Sequence, residues 1–302
     1  MDDIHQPVLL AEVLHWLAPV SGGIYVDGNL GLGGHAAAVL EHSAPAGRLI
    51  GFDWDEEALV RARRNLARFG ARALLLQRNF IELEASLAEL AVDRIDGLVL
   101  DLGLSSLQLD GGLNAGEGRG FSFRGSEPLD MRMDRRGGLT AADLLRDLSA
   151  AELADIFYYY GEERQARPIA GLIVERRRHD PILTTAQLAA LVGEAVPRRF
   201  HPRNIHVATR VFQALRIAVN HELENLAAIL AMTPSRLRPG ARFCVITFHS
   251  LEDRLVKRAF RDDSRLRVLT PRPITPGAAE QRRNPRSRSA KLRVAERREE
   301  QA

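Results

Sequence analysis

Val26-Asp27-Gly28-Asn29-Leu30-Gly31-Leu32-Gly33-Gly34-His35 is the stretch on which the reading of the whole 302-residue chain turns. A short apolar run ends in a carboxylate, four glycines follow, and residues 35–41 then carry helix-compatible spacing. That order describes a strand turning tightly into a helix, with glycines that let the backbone pass close to a ligand. A plain G-x-G-x-x-G spacing would point to a dinucleotide. An acidic residue at the strand end followed by clustered glycines suits a ligand bearing positive charge instead, and S-adenosylmethionine is such a ligand. A tight connection with no ligand is the plainer reading, but four glycines exceed what a turn requires.

Outward from this turn, short apolar runs alternate with amphipathic stretches up to Asp101, the pattern of βαβ units in a parallel sheet. Strands are expected at residues 24–27, 48–53, 73–77 and 97–101, with helices near 35–41, 56–69 and 83–90. After Asp101 the alternation stops. The chain becomes glycine-rich to Gly138, then helical with start signals at Thr140, Ser149 and Thr184. Helical spacing over residues 207–232, a buried-strand run at 243–248, a helix at 251–260 and two late β-like pieces at 266–270 and 291–295 complete the pattern. A sheet that is interrupted and then resumed implies a Rossmann-like α/β domain formed by residues 1–105 and 207–302, with an inserted, mostly helical domain at residues 106–206.

The composition, 45% hydrophobic and 27% charged, is that of an ordinary globular chain. The start, Met1-Asp2-Asp3-Ile4-His5-Gln6-Pro7, lacks a signal peptide's basic and apolar regions, and no apolar run approaches the roughly 18 residues of a membrane span. A soluble, cytoplasmic protein without membrane partners is expected. The single cysteine, Cys244, excludes an internal disulfide and a thiolate metal cluster, so no metal is expected. Net charge is only +3, yet the pI is about 9.4 and arginine far outnumbers lysine, which favours planar contacts to phosphate. Residues 282–298 carry Arg282, Arg283, Arg286, Arg288, Lys291, Arg293, Arg297 and Arg298, either a solvated tail or a phosphate-contacting one.

Three further positions fit a ligand at the carboxyl edge of such a sheet. Asp53 closes the second strand, where a Rossmann site places the carboxylate that accepts ribose hydroxyls, and Asp101 closes the fourth. Either could instead cap a helix. Phe80, after the third strand, could pack on adenine or belong to the core. Between them and the helical stretch runs a long polar loop with Ser105-Ser106-Leu107-Gln108-Leu109-Asp110, Arg119-Gly120-Phe121-Ser122-Phe123 and Pro128-Leu129-Asp130-Met131-Arg132-Met133-Asp134, which reads as substrate-facing.

Together with Tyr160-Gly161-Glu162-Glu163-Arg164, Phe212-Gln213-Ala214-Leu215-Arg216-Ile217, Phe248-His249-Ser250-Leu251-Glu252-Asp253-Arg254 and Asn284-Pro285-Arg286-Ser287-Arg288-Ser289, these segments resemble the RsmH (MraW) family, in order and across almost the whole chain. The resemblance implies a class I S-adenosylmethionine-dependent methyltransferase that methylates the exocyclic N4 of a cytidine in the decoding (P-site) region of bacterial 16S rRNA. It implies that Gly33, Gly34 and His35 hold the methionine end of the cofactor and Asp53 the ribose, with Phe80, Asp101 and Gln108 supplying the remaining contacts. The partner it implies is 16S rRNA within a small ribosomal subunit or late assembly intermediate; the oligomeric state stays open. The chain departs from the family pattern at Asn29, where threonine is usual, at Leu107, where proline is usual, and in extra residues at 111–118 and around 203–207.

Methylation of an amine is an in-line displacement that needs alignment and a proton acceptor, but no covalent intermediate. Asp101, or a polar group among residues 105–108, is the candidate to polarise the amine. Methylation at cytosine C5 ordinarily begins with thiolate attack, and Cys244 sits inside an expected strand, so amine chemistry is favoured. His249 and Ser250 invite a hydrolase reading, but no Gly-x-Ser-x-Gly elbow surrounds the serine. A nicotinamide dehydrogenase lacks its Tyr-x-x-x-Lys pair after Tyr158, Tyr159 and Tyr160. A methyltransferase with another RNA substrate and a non-catalytic RNA-binding protein remain as alternatives. Arg164, Arg167 and Arg176-Arg177-Arg178 in the insertion are candidates, with the C-terminal arginines, to grip phosphates beside an extruded base.

Overall fold

A computed structural model describes residues 7–103, 118–122 and 125–299; the Ser105 to Asp110 segment, Gln108 included, lies outside these residues. The chain divides into two compact units, Met1–Ser105 with Leu223–Ala302, and Ser106–Glu222.

In the first unit the early elements are α1 (Leu10–Leu17), β1 (Ile24–Asp27), α2 (Gly34–His42), β2 (Arg48–Asp53), α3 (Glu56–Leu66), β3 (Ala73–Gln77), α4 (Leu83–Glu89) and β4 (Ile95–Asp101). Among the described residues seven strands form one sheet in the order β3-β2-β1-β4-β5-β7-β6, completed by β5 (Leu237–Thr247), β6 (Leu266–Val268) and β7 (Lys291–Arg297). The first five strands in that order are parallel, while β7 runs antiparallel to both neighbours.

The strands read as continuous apolar runs because both faces of the sheet are covered. On one face Ile24, Val26, Ile50, Phe52, Leu98 and Leu100 pack with Leu83 and Leu87 of α4 and with Val256 and Phe260 from beyond β5. On the other, Tyr25, Leu49, Val99 and Cys244 pack with Val13 and Leu17 of α1, Val39 and Leu40 of α2 and Leu59 of α3. Alternate residues of one strand thus serve opposite cores, as the twofold repeat of a strand requires.

Several boundaries differ from those the sequence suggests. Helix α1 is short and bracketed by left-handed Leu9 and Ala18, so it lacks the usual polar cap that marks a helix start. α3 stops at Leu66, and the chain continues as a 3-10 segment through Gly70. β5 begins at Leu237, because its first residues, including Gly240 with φ +78°, are largely exposed and carry no apolar run.

The second unit is helical: α5 (Ala141–Asp147), α6 (Ala150–Tyr159), α7 (Ala166–Arg176), α8 (Thr185–Ala195) and α9 (Thr209–Asn220). Thr140, Ser149 and Thr184 cap α5, α6 and α8, each accepting the third backbone N–H while the third side chain accepts theirs. The spacing over residues 207–232 resolves into two helices, because His221 takes a left-handed conformation and ends α9 before α10 (Glu222–Arg236) begins. The return point therefore lies at Glu222/Leu223 rather than at 206/207. α9 packs against α5 and α6, and its Asn220 grips the loop before them, donating to the Met131 carbonyl at 2.8 Å and accepting the Met133 N–H at 2.8 Å.

After β5 the first unit closes with α11 (Ser250–Asp262), β6, α12 (Ala278–Arg283) and β7. The C-terminal basic run is not uniformly solvated. Arg293 and Lys291 bond to Asp253 of α11 at 2.6 and 3.2 Å, and Arg298 donates to the Leu266 carbonyl. Arg282, Arg283, Arg286 and Arg288 stay exposed. Among the described residues no helix is long and apolar enough to cross a membrane.

Candidate cofactor and active site

β1 has β2 on one side and β4 on the other, so the chain leaves β1 toward one half of the sheet and later returns to the other half. At such a switch point the flanking connections diverge and leave a crevice at the carboxyl ends of the strands. Asp27, Asp53 and Asp101 close β1, β2 and β4, and all three arrive at this edge.

Asp27 is only 2% exposed and accepts the Asn29 N–H at 3.3 Å. Burial pushes its carboxyl up to about 7; the Asn29 N–H works in the opposite sense, and the charges of Asp101 and Asp53 add to the rise. In the sequence Asp27 is only the acidic end of the glycine turn; its burial arises from the packing of the sheet. Asp53, 6% exposed, accepts the Gly31 N–H at 2.8 Å through one oxygen and the Asp55 N–H at 2.9 Å through the other, so it braces the glycine turn from the neighbouring strand. Asp101 accepts the Gly103 N–H at 3.1 Å.

The turn is shaped by two glycines in particular. A β-carbon on Gly28 would come within 2.9 Å of the Leu100 side chain and 3.4 Å of Phe80, which places Phe80 beside the first glycine. Gly33 has φ +81° and caps α2, where a side chain would be strained. Gly34 and His35 open the helix, so their N–H groups lie in its first turn, where helical N–H groups lack partners within the helix. The His35 ring is buried. Its Nε2 lies 2.9 Å from the Val8 carbonyl, which can only accept, so Nε2 carries the proton and Nδ1 faces Asp101 at 3.7 Å. The departure at Asn29 has a structural role: its amide donates to the Asp101 carbonyl at 2.5 Å and reaches the Gly103 carbonyl at 3.4 Å, tying the glycine turn to the end of β4.

Phe80 stands on a single 3-10 turn, Phe80–Glu82, with its side chain half-buried against the core. Asn79 caps that turn, accepting the Ile81 N–H at 3.2 Å, and Glu82 accepts the Asn79 N–H at 3.0 Å. Asn79→Ala is expected to cost about 1 kcal/mol, the usual value of such a cap, measured as a lower urea midpoint with unchanged slope.

Gly33, Gly34, His35, Asp53, Phe80 and Asp101 all lie around one sheet edge. Buried carboxylates suit a cationic ligand, a strand-end carboxylate suits a ribose, and a half-buried aromatic ring suits an adenine face, so the donor set fits S-adenosylmethionine. This sheet, with its one antiparallel strand and an acidic, glycine-lined switch point, defines a Rossmann-like methyltransferase that uses S-adenosylmethionine. The chain belongs to the MraW methylase family, whose profile matches residues 2–298. It is 55% identical over 295 residues to the ribosomal RNA small subunit methyltransferase H of Desulfotalea psychrophila, covering 98% of each chain. Proteins of the same name from Geobacter sp. (strain M21) and Cyanothece sp. (strain PCC 7425) are 50% identical over 315 residues and 52% identical over 294 residues, covering 98% and 97% of this chain and 99% and 95% of theirs.

Proposed function

We propose that this protein transfers the methyl group of S-adenosylmethionine to the exocyclic N4 of a cytidine in the decoding (P-site) region of bacterial 16S rRNA. The observation that carries this reading is the near full-length identity to relatives named for small-subunit rRNA methylation. The state of Cys244 supports an amine rather than a ring carbon as the target. The thiol is fully enclosed in β5 and burial pushes it up to about 12, so it does not supply the thiolate that C5 attack needs.

In this reading Gly33, Gly34 and His35 receive the methionine end, Asp53 accepts the ribose hydroxyls, and Phe80 packs on the adenine. Asp101 and Gln108 complete the site. Bound S-adenosylmethionine supplies a methyl group on a positively charged sulfur. The chain has to align the target amine with that methyl and receive its proton. Asp101 is suited to polarise the amine: one of its oxygens is held by the Gly103 N–H at 3.1 Å, which orients the carboxylate at the end of β4. The helical unit serves as the substrate-recognition domain, and an rRNA target places the protein in the cytoplasm.

Incubation with methyl-labelled S-adenosylmethionine and unmodified small subunits or late assembly intermediates, followed by nucleoside mass spectrometry of the 16S rRNA, tests the proposal. Label in N4-methylcytidine is expected. Label in another nucleoside would reassign the substrate, and cofactor binding without transfer would leave an RNA-binding protein. Asp101→Ala separates roles: intact cofactor binding with turnover reduced at least 100-fold marks it as catalytic, while lost binding makes it a cofactor residue.

A further inference from the structure

The arginines of the helical unit do not all remain available to a partner. Arg176 pairs with Glu194 at 2.9 Å, and Arg177 donates to the carbonyls of Leu145 and Leu148 at 2.6 Å each, where it ties the end of α5 to α7. The connection between α8 and α9 is different. From Ala195 to His221 the sequence holds no aspartate or glutamate, while residues 197–206 carry Arg198, Arg199, His201, Arg203 and His206.

This connection is built, not loose. A 3-10 turn, Arg198–Phe200, is closed by Phe200 N–H to the Pro197 carbonyl at 2.8 Å, and His201 Nε2 is anchored on the Val196 carbonyl at 2.9 Å. Buried Val196 roots the turn in the unit's core. The same turn holds the Phe200 ring 50% exposed, with the Arg199 guanidinium 4.9 Å from its centroid, and Ile205 is 46% exposed nearby in sequence. An ordered turn that keeps a phenylalanine in water among exposed arginines resembles the way proteins hold unpaired nucleotides, with bases on an aromatic face and phosphates on arginines. An acidic protein partner would use the arginines but give no reason for the ring.

We propose that residues 197–206 form a platform for single-stranded RNA, with Phe200 stacking on a base and Arg198, Arg199 and Arg203 contacting the backbone. This rests on the RNA substrate proposed above and adds a specific surface for its unpaired segment.

The test is fluorescence anisotropy with the full-length protein and a fluorescein-labelled oligocytidylate over a range of salt concentrations, with inorganic polyphosphate as a base-free competitor. Phe200→Ala is expected to weaken RNA binding about 5- to 150-fold, the worth of one base stacked on an aromatic ring, with the salt slope unchanged. Phe200→Tyr should restore binding, and polyphosphate affinity should not change in either variant. Replacing Arg198, Arg199 and Arg203 by glutamine should reduce the slope of log affinity against log salt by about 2, at about 0.7 per phosphate contact. Absence of binding by the unmodified protein, a Phe200→Ala affinity within about twofold of it, an equal loss toward polyphosphate, or an unchanged slope in the triple variant would each overturn the platform. The nucleoside assay on subunits reports separately on the methyl-transfer reading, so the two can fail independently.

Discussion

Asp53→Ala is expected to raise the dissociation constant for S-adenosylmethionine about 100-fold or more while leaving the protein folded. The carboxylate performs two tasks at once. It lies at the carboxyl edge where ribose hydroxyls would find an acceptor, and it already holds the Gly31 and Asp55 N–H groups. Hydrogen bonds to a charged acceptor contribute about 1.5–3 kcal/mol each, so two lost ribose contacts amount to about 3 kcal/mol or more. Alanine also frees the Gly31 N–H, and the turn that must close around the ligand loses its brace from β2. Asp53→Asn keeps the shape but turns an amide donor toward one of two backbone donors, and an intermediate loss is expected. Equilibrium dialysis with labelled cofactor, beside a thermal melt to confirm folding, is the measurement. A dissociation constant for Asp53→Ala within about threefold of the unmodified protein would remove Asp53 from the site.

The second expected result concerns Asp27. Its carboxyl is raised from 3.8 to about 7 by burial. In the absence of ligand the folded chain therefore keeps a proton that the unfolded chain has lost. The contribution is complete below the unfolded value near 4 and is lost as pH rises toward about 7, amounting to at most about 4 kcal/mol at about 1.4 kcal/mol per pH unit. A cation bound beside the carboxylate favours its ionised form, so cofactor binding should expel the proton. Affinity is then expected to rise as pH increases toward about 7, by up to about tenfold per unit, and to level off above it. Asp27→Asn should bind more weakly, lose this pH dependence and be more stable than the parent at alkaline pH when ligand-free. Calorimetry in two buffers of different ionisation heat measures the released proton directly. A pH-independent affinity in the parent protein would show that Asp27 does not respond to the ligand's charge.

Much of the sheet was legible in the sequence, and the reason is local. β1, β2 and β3 occupy the expected residues because strands buried on both faces leave unbroken apolar runs bounded by charged or glycine residues. The capped starts of α5, α6 and α8 were legible for a similar reason, since Thr140, Ser149 and Thr184 act on neighbours three residues away. The end of α9 was not. His221 has no intrinsic need for a left-handed backbone, and the helical spacing runs past it without interruption, so the packing of α9 on α5 and α6 places the boundary of the units.

The candidate site divides along the same line. The sequence by itself determined which residues are candidates: Asp53, Asp101 and the glycines stand at expected strand ends, and a parallel sheet sends every strand's carboxyl end to one edge. Only the tertiary structure decided what each group meets there. The burial that raises Asp27, the bracing of Gly31 by Asp53, the Asn29 link to the Asp101 and Gly103 carbonyls and the His35 bond to the Val8 carbonyl join positions from 2 to 74 residues apart. Which arginines are already occupied was settled in the same way, Arg177 by carbonyls about 30 residues earlier and Arg293 by Asp253, while the turn at Arg198–Phe200 keeps its ring in solvent. Periodicity and capping act over a few residues and are written in the chain, whereas burial and long-range hydrogen bonding arise only when distant segments pack together.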